Sequence, residues 1–379
     1  MRKSKIYKFL GVLILLVIIG GGIWYWQLPK RHKAIAKTFL FEKLGIVNPN
    51  WKVENKLETY KMISPEFYID GIYKSMEGPK SSNYVQLSQD STLLWLTGFQ
   101  VKALDNSSLK YISNDFICHT NVDFNDANYY SSFHLEKRIG TQYPRLTSLS
   151  HGMEHFSFPA GYGVPMKGTE FLYVTTQALN HNLPDANFWI RHEVDITYSR
   201  AKTTRPLMSR TAFIMLPFNE SDPYKSPLDP GTNQCIPVET RNHTYDDGKG
   251  NKLSGHWVIP MGKHTYRSSV NQQLQLQDSL RLHAATIHVH PFATKISLFD
   301  KTANKPIVIS NIVNHKGKIG LTRIDPFSSE EGIWLYKNHD YEIVLDVDNT
   351  SQINQDMMGS MFLFFYDKEL DDLLQKGLK

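Results

Sequence analysis

Short apolar segments separated by turn-forming residues dominate the sequence between Tyr84 and Tyr366, and this pattern constrains the fold more than any other feature. The segments are rich in β-branched and aromatic residues, as is typical of antiparallel sandwiches. We therefore predict an all-β chain of two tandem antiparallel β-sandwich, jelly-roll-like domains after an N-terminal transmembrane helix. The predicted strands are 91–102, 115–124, 170–179, 188–198, 211–216, 255–260, 280–290, 295–300, 307–312, 341–346 and 357–366.

An apolar run from Phe9 to Trp26 lies near the N-terminus and is long enough to cross the core of a bilayer. Basic residues flank it on both sides, and Trp24 and Trp26 suit the membrane interface. Bulky residues follow Gly20–Gly22 at once, which is unlike a cleavage site. We predict an uncleaved membrane anchor with the rest of the chain outside the cytoplasm, periplasmic or extracellular. The alternative is a cleaved signal peptide and a secreted protein.

The domain organisation follows from these two features. A helix is predicted at 34–44, a long loop at 219–231 and a closing helix at 368–379. The predicted parts are the anchor with its basic flanks at 1–33, the first sandwich with its lead-in segment at 34–203, and the second sandwich at 204–379.

Composition limits the class of protein. With 41% hydrophobic and 21% charged residues the chain is globular, and its net charge of +5 comes from scattered basic residues, so no nucleic-acid partner is expected. Cys118 and Cys235 are the only cysteines of the sequence. They can form a disulfide in an oxidising compartment or remain free thiols.

Two imidazoles stand two residues apart in the predicted strand 280–290. His288 and His290 therefore project from one face of a sheet. Neutral imidazole is a common metal ligand, although strand histidines also occur as ordinary polar residues. If Met358 in the last predicted strand faces the same side, its thioether completes a soft site that favours Cu(I). Otherwise it fills the core, as methionine often does.

The order of motifs from about residue 206 to 366 resembles the C-terminal domain of the copper type II, ascorbate-dependent monooxygenases, the family of peptidylglycine α-hydroxylating monooxygenase and dopamine β-monooxygenase. His288-Val-His290 stands at the family's His-x-His pair, and Asp356-Met-Met358 stands at its Asp-Glu-Met. The resemblance implies that His288, His290 and Met358 bind copper and carry the catalysis. The matching segments are 205–216, 256–262, 288–290, 334–350 and 356–358.

The N-terminal half resembles the first domain of that family more loosely. Cys118-His119 stands where the family has a His-His copper pair, and Thr120 replaces the second histidine. His181 lies close to the place of the third histidine, and His192 follows on the next predicted strand. The resemblance implies a second copper site at His119, His181 and His192. The alternative is that these are hydrogen-bonded structural histidines.

The remaining histidines receive no function from the sequence. His151 and His155 have the spacing of a zinc-binding helical pair, but Gly152 weakens a helix and Glu154 is misplaced, so both are predicted to lie in a loop. No role is assigned to four scattered histidines: His243, His256, His264 and His283.

In the family, the methionine-bearing copper binds O2 and the all-histidine copper delivers an electron from ascorbate, across a solvent cleft between the two domains. The resemblance therefore predicts a copper-dependent monooxygenase-like enzyme that uses O2, a small-molecule substrate and an external electron donor. A second hypothesis is a non-catalytic copper-binding protein for storage, delivery or sensing that retains only the second-domain site. A third is a structural or glycan-binding double sandwich without metal.

The substrate is predicted from three positions. Thr286, Ser360 and Phe362 stand where peptide-hydroxylating members of the family carry the Arg, Asn and Tyr that anchor a peptide carboxylate. Glycine-extended peptides are therefore not expected to be substrates. The face that carries Phe362 and Phe364 favours an apolar or aromatic substrate instead.

Overall fold

The helices of the computed structural model include one at the N-terminus that lies outside the folded core. The structure describes residues 2–202, 204–217, 245–246 and 252–377. Within it, Phe9–Gln27 is apolar and long enough to cross a membrane, and none of it is buried in the fold. Such a helix occurs both in membrane anchors and in signal peptides. The helices are α1 (Arg2–Gln27), α2 (Lys30–Lys43), α3 (Asp126–Ser132), α4 (Asn271–Leu274) and α5 (Lys368–Gln375).

Strands make up most of the remaining chain, so the prediction of a mostly β protein is confirmed. We call β1–β11 the first half and β12–β25 the second half. The first half consists of β1 (Lys52–Lys56), β2 (Thr59–Ile63), β3 (Phe67–Ile69), β4 (Lys80–Gln86), β5 (Leu93–Asp105), β6 (Ile117–Phe124), β7 (Arg145–Leu149), β8 (His155–Ser157), β9 (Tyr162–Lys167), β10 (Phe171–Ala178) and β11 (Phe188–Ser199). The second half consists of β12 (Arg205–Phe213), β13 (Leu216–Pro217), β14 (Tyr245–Asp246), β15 (Lys252–Ser254), β16 (Trp257–Ile259), β17 (Gly262–Ser269), β18 (Leu280–Val289), β19 (Ala293–Asp300), β20 (Lys305–Asn314), β21 (Leu321–Ile324), β22 (Phe327–Leu335), β23 (Tyr341–Asn349), β24 (Gln355–Met357) and β25 (Gly359–Tyr366).

One long sheet runs through both halves in the order β1-β2-β11-β5-β9-β12-β25-β18-β22. The halves join in this sheet where β9 and β12 form a short parallel pair at Tyr162 and Arg205. The first half adds a four-stranded sheet, β4-β10-β6-β7, and the second half adds a five-stranded sheet, β17-β23-β19-β20-β21. Contacts of β7 with β18 and β25 bring the two halves face to face.

The two central strands β18 and β25 are buried along nearly their whole length. One face of β18 carries Ile287 and Val289, which belong to the hydrophobic core. The other face carries Thr286 and His288 and looks toward the first half, since the hydroxyl oxygens of Thr286 and Thr147 on β7 lie 3.0 Å apart. The polar face of the strand is therefore covered by the other half of the chain.

Aromatic packing extends this contact along β25. The ring of Phe364 lies 4.6 Å from that of Phe158 in an edge-to-face arrangement and 6.4 Å from that of Phe156. Phe362 and Phe364 are 1% and 0% exposed. The face expected to meet an apolar substrate is thus packed core, and it gives no support to a substrate of that class.

Most sequence-predicted elements have a counterpart. The predicted helices at 34–44 and 368–379 correspond to α2 and α5, and the last predicted strand is divided between β24 and β25 at Met358. His155 lies in β8 and not in a loop. The predicted loop 219–231 and Cys235 lie outside the described residues, so the pairing of Cys118 stays a prediction.

A half-buried carboxyl just before β10, that of Glu170, makes the stability of the fold depend on pH. Burial raises the pKa of Glu170 from an ordinary value of 4.5 to about 7, although hydrogen bonds from Ser132 and the Lys167 amide oppose the shift. Because the fold favours the protonated form, this stabilising contribution is present below about pH 4.5 and is lost as the pH rises through about 7.

The Glu170→Gln variant, which stays neutral, should therefore lose less stability than the wild type between about pH 5 and about pH 8. Thermal unfolding of both proteins across that range, followed by near-UV circular dichroism, measures the difference. Exposed Glu331→Gln is the matched control. Identical pH slopes for Glu170→Gln and the wild type would refute the assignment.

Candidate metal centre

The pairing of β18 with β25 fixes the position of the predicted His-x-His pair. His288 lies opposite Ser360 and Val289 lies opposite Gly359, the last pair in the register. Both imidazoles are buried, at 6% and 4% exposure, and their ring centroids lie 5.6 Å apart. The structure therefore brings His288 and His290 together on the face that looks toward the first half.

Met358 stands at the break between β24 and β25. The pairing of β18 with β25 ends one residue away from it, where Gly359 lies opposite Val289. Its neighbour Met357 points the other way, is fully buried and pairs with Trp257 on β16. Met358 itself is half-buried. Met358 and His290 therefore each lie one residue beyond the end of this pairing.

A carboxylate and a further imidazole join His290 from an adjacent pair of strands. The pairing of β16 with β24 places His256, just before β16, near Asp356. Asp356 Oδ2 lies 2.8 Å from His290 Nδ1 and 3.4 Å from His256 Nε2. Among the described residues, these three form the one group of His, Cys, Asp and Glu side chains whose donor atoms all lie within 4.8 Å of one another.

The distances from Asp356 Oδ2 to the two imidazole nitrogens are close to those between ligand atoms of a single metal ion. Although His290 Nδ1 and Asp356 Oδ2 are 2.8 Å apart, His290 Nδ1 has no aligned hydrogen-bond partner. Ligand atoms that each lie about 2.0–2.2 Å from one metal ion are separated from one another by roughly 3 Å. Burial opposes ionisation of Asp356, but His290 and His256 outweigh it and hold the pKa of that carboxyl well below its usual range. Asp356 therefore carries a negative charge at neutral pH.

His288 carries a nitrogen that lacks a partner. Its Nδ1 is buried and forms no hydrogen bond. Burial, followed by the neighbouring His290 and His119, holds the pKa of His288 well below its ordinary value. The ring is therefore neutral and has a lone pair to offer, which a metal ligand requires.

The first half contributes His119 from β6. Its ring centroid lies 6.1 Å from that of His288, and its Nδ1 lies 3.3 Å from Cys118 Sγ. Burial, followed by the charge of Arg145, lowers the pKa of His119 to about 3. The resemblance predicts a solvent cleft between the copper sites, but the structure has these two histidines in ring contact across a closed interface, because β6 and β7 pack on the polar face of β18.

His151, for which the sequence predicts a loop position and no function, is 4% exposed. It lies in the turn after β7, where Gly152 has a φ of +88°. Its Nδ1 donates to the Ile117 carbonyl at 3.1 Å, so the neutral ring has its lone pair on Nε2, a buried atom without a partner. Metal-binding imidazoles are commonly oriented in this way. Burial, followed by His181, lowers the pKa of His151 to about 3.

His181 lies beside His151, with ring centroids 6.5 Å apart. Its Nδ1 is also buried without a partner, and burial lowers its pKa to about 4. His181 and Asp356 line the same small pocket of ≈ 60 Å³, next to Phe292. We call the whole set the histidine cluster: His119, His151, His181, His256, His288, His290 and Asp356.

His192 stands apart from the histidine cluster. Its Nδ1 lies 2.7 Å from Thr176 Oγ1 and its Nε2 lies 3.2 Å from the Phe116 carbonyl, so both nitrogens have protein partners. Its ring packs against Phe67 at 5.2 Å. The donor atoms of His119, His181 and His192 do not come within 4.8 Å of one another. His192 therefore matches the alternative of a structural histidine.

Three members of the histidine cluster, His151, His256 and Asp356, were not assigned as ligands from the sequence. Asp356 was noted only as part of the Asp-Met-Met motif. Each approaches the cluster through a pairing between distant segments, such as β16 with β24. The spacing of residues along the sequence does not reveal which distant strands pair.

Comparison with known proteins gives no functional assignment. No protein-family model matches the chain, and no curated protein matches it significantly. Similar solved structures include a peptide-N(4)-(N-acetyl-β-D-glucosaminyl) asparagine amidase, at 10% identity and a TM-score of 0.31 over 80% of this chain and 96% of that one. PNGase F, a glycosylasparaginase from Flavobacterium meningosepticum, is 9% identical with a TM-score of 0.33 over 82% and 96%. PNGF-II is 8% identical with a TM-score of 0.28 over 81% and 60%. Likenesses this distant carry no argument about activity.

Proposed function

We propose that the chain binds copper in the histidine cluster and acts as a copper-dependent monooxygenase-like protein. The supporting observation is the approach of His256, His290 and Asp356 to within 4.8 Å, beside buried imidazole nitrogens without partners. A buried polar atom without a partner destabilises a fold by about 1–3 kcal/mol. An ion that takes up these lone pairs would remove that penalty at several atoms together.

The ligand types bear on which ion is bound. Imidazole suits copper, zinc, iron and nickel, and two histidines with one carboxylate are also the ligand set of non-haem iron sites. The thioether of Met358 is a soft ligand and favours Cu(I). We therefore propose that His288, His290 and Met358 hold copper. Asp356 and His256, which lie beside His290, are the further ligands of the proposed site. A second ion at His119, His151 and His181 is not part of the proposal, because their ligand atoms do not all lie within 4.8 Å of one another.

The roles of the side chains follow from their surroundings. Bound copper supplies one-electron transfer and the activation of O2. Asp356 offsets the positive charge of an ion in a buried site, and the Ile117 carbonyl orients His151. The covering of β18 by the first half excludes bulk water. The ≈ 60 Å³ pocket beside His181 and Asp356 has room for a few water-sized molecules and is the candidate route for O2.

The closed interface favours a second candidate function, a copper-binding protein for storage, delivery or sensing. His119, His288 and His290 are 5%, 6% and 4% exposed, which leaves no space for an organic substrate among them. Ascorbate-dependent O2 consumption by the copper-loaded full-length protein in detergent distinguishes the two functions. Consumption above that of a His290→Ala variant supports the monooxygenase, and equal rates in a protein that retains copper support the second candidate.

We expect Met358→Leu to weaken Cu(I) binding by roughly tenfold or more. Substitution of residues that only orient the ligands already lowers metal affinity by about 10–100-fold, so loss of a ligand should have at least the smaller of these effects. Leucine retains the volume and removes the sulfur. The measurement is competition with a chromogenic Cu(I) chelator. Met361→Leu is the matched control, since Met361 lies opposite Ile287 on the core face. Equal Cu(I) affinity in both variants would contradict a ligand role for Met358.

We also propose that α1 is an uncleaved anchor with the folded part outside the cytoplasm, and that the two halves are tandem jelly-roll-like sandwiches. A small-molecule substrate and an external electron donor such as ascorbate would then reach the protein from that compartment. Protease treatment of intact cells, followed by detection of a C-terminal tag, tests the orientation. Cleavage supports an external domain, and full protection contradicts it.

A further inference from the structure

A second pocket, of ≈ 570 Å³, lies where β9, β12, β18 and α5 meet. No member of the histidine cluster lines it. Its volume falls within the range of about 300–1,000 Å³ that is usual for small-molecule sites. The proposed copper chemistry makes no use of it.

Aromatic rings form the inner wall of this pocket. The rings of Tyr162 and His283 stack with centroids 4.1 Å apart and an interplanar angle of 28°. Both side chains are buried, whereas Trp334 at the rim is 44% exposed. The aromatic surface most accessible to a ligand is therefore that of Trp334.

Two arginines lie over these rings. The guanidinium of Arg281 is 4.7 Å from the Trp334 ring, and that of Arg205 is 5.9 Å from the Tyr162 ring. Arg205 also donates from Nη1 to the Tyr162 hydroxyl at 3.4 Å. Stacking restricts a guanidinium to one plane, and its planar donors can then bind a carboxylate or phosphate through two parallel hydrogen bonds.

The side chains that line the pocket carry an excess of positive charge. Lys202 and Lys368 add to the two arginines, and Asp371 is the one carboxylate in the lining, where it accepts a hydrogen bond from Tyr366. Within the parts of the chain that the structure describes, no acidic side chain forms an ion pair with any of the four cations. Their charge is therefore free to act on a ligand.

We propose that this pocket binds a small organic oxyanion, a phosphate or a carboxylate, whose flat part lies against the aromatic wall. The two stacked arginines bind the acidic group and the lysines add long-range attraction. Chemically, the ligand is an acid with a ring or planar chain, and it binds independently of copper.

Calorimetric titration of the full-length protein in detergent tests this proposal. Phenyl phosphate and phthalate are the two charged probes, and phenol is the uncharged one. We expect saturable binding of at least one charged probe and none of phenol. Binding of phenyl phosphate alone identifies a phosphate site, and binding of phthalate alone identifies a carboxylate site.

The double variant Arg205→Gln/Arg281→Gln should bind that probe at least roughly tenfold more weakly, because hydrogen bonds to charged groups contribute strongly. Both side chains are exposed, so the fold should persist. Exposed Arg323→Gln, on β21 and outside the pocket, is the matched control. No saturable binding of either charged probe, or equal affinity in the double variant and the control, would overturn the proposal.

Discussion

Replacing His290 by alanine is expected to lower the copper affinity of the full-length protein by about two orders of magnitude or more. The His290 ring is central to the histidine cluster, with centroids 5.6 Å from His288 and 5.8 Å from His256. Its Nδ1 is also the atom closest to the Asp356 carboxylate, at 2.8 Å. The substitution therefore removes the side chain that lies next to His288 on one side and to His256 and Asp356 on the other. Elemental analysis after dialysis against a weak chelator measures the loss.

The His290→Ala substitution also removes the imidazole beside the Asp356 carboxylate. Loss of the partner of a buried charge can destabilise a fold by about 3–5 kcal/mol. The variant Asp356→Asn separates the two effects, because it removes the negative charge with little change in shape. It should also bind copper more weakly. The control is His264→Ala, at a position on β17 where Nε2 lies 3.0 Å from the Met261 carbonyl. Retention of copper by both folded site variants would show that the ion binds elsewhere.

Truncation of Phe364 is expected to destabilise the fold strongly. Its side chain is fully buried against Phe156 and Phe158, where β25 of the second half meets the first half. Phe364→Ala should lower the free energy of unfolding by about 3–5 kcal/mol, through lost burial and the cavity left behind. Chemical denaturation followed by tryptophan fluorescence measures the change.

A matched control for this prediction is Phe171→Ala on β10. That side chain is 45% exposed and has an edge contact with Tyr84 at 6.3 Å. Its truncation should lower the free energy of unfolding by no more than about 1.5 kcal/mol. If the two variants were equally stable, the halves would not share a core at Phe364.

The strand pattern predicted part of the site because a strand has a fixed period. His288 and His290 share a face for that reason alone, and the role of Met358, which rests on the resemblance, stays a prediction. The closed interface was not predictable in this way. It depends on the contact of Thr147 with Thr286 and of His119 with His288, between segments far apart in the chain.

His151 shows why some members of the histidine cluster were not predicted from the sequence. Its sequence context, next to Gly152, indicates a turn, and the residue does lie in a turn. Its burial comes instead from tertiary packing, and the lone pair on Nε2 follows from a hydrogen bond to the distant Ile117 carbonyl. Nothing in the spacing of His151 from its neighbours encodes either fact.

The copper content of the purified full-length protein shows whether the histidine cluster is a copper site. The chain is expressed in medium that contains copper, zinc and iron, dialysed, and analysed for all three elements per chain. Copper in at least stoichiometric amount, lost in the His290→Ala variant, is the predicted result. Zinc or iron at that stoichiometry, or no bound metal, would contradict the account.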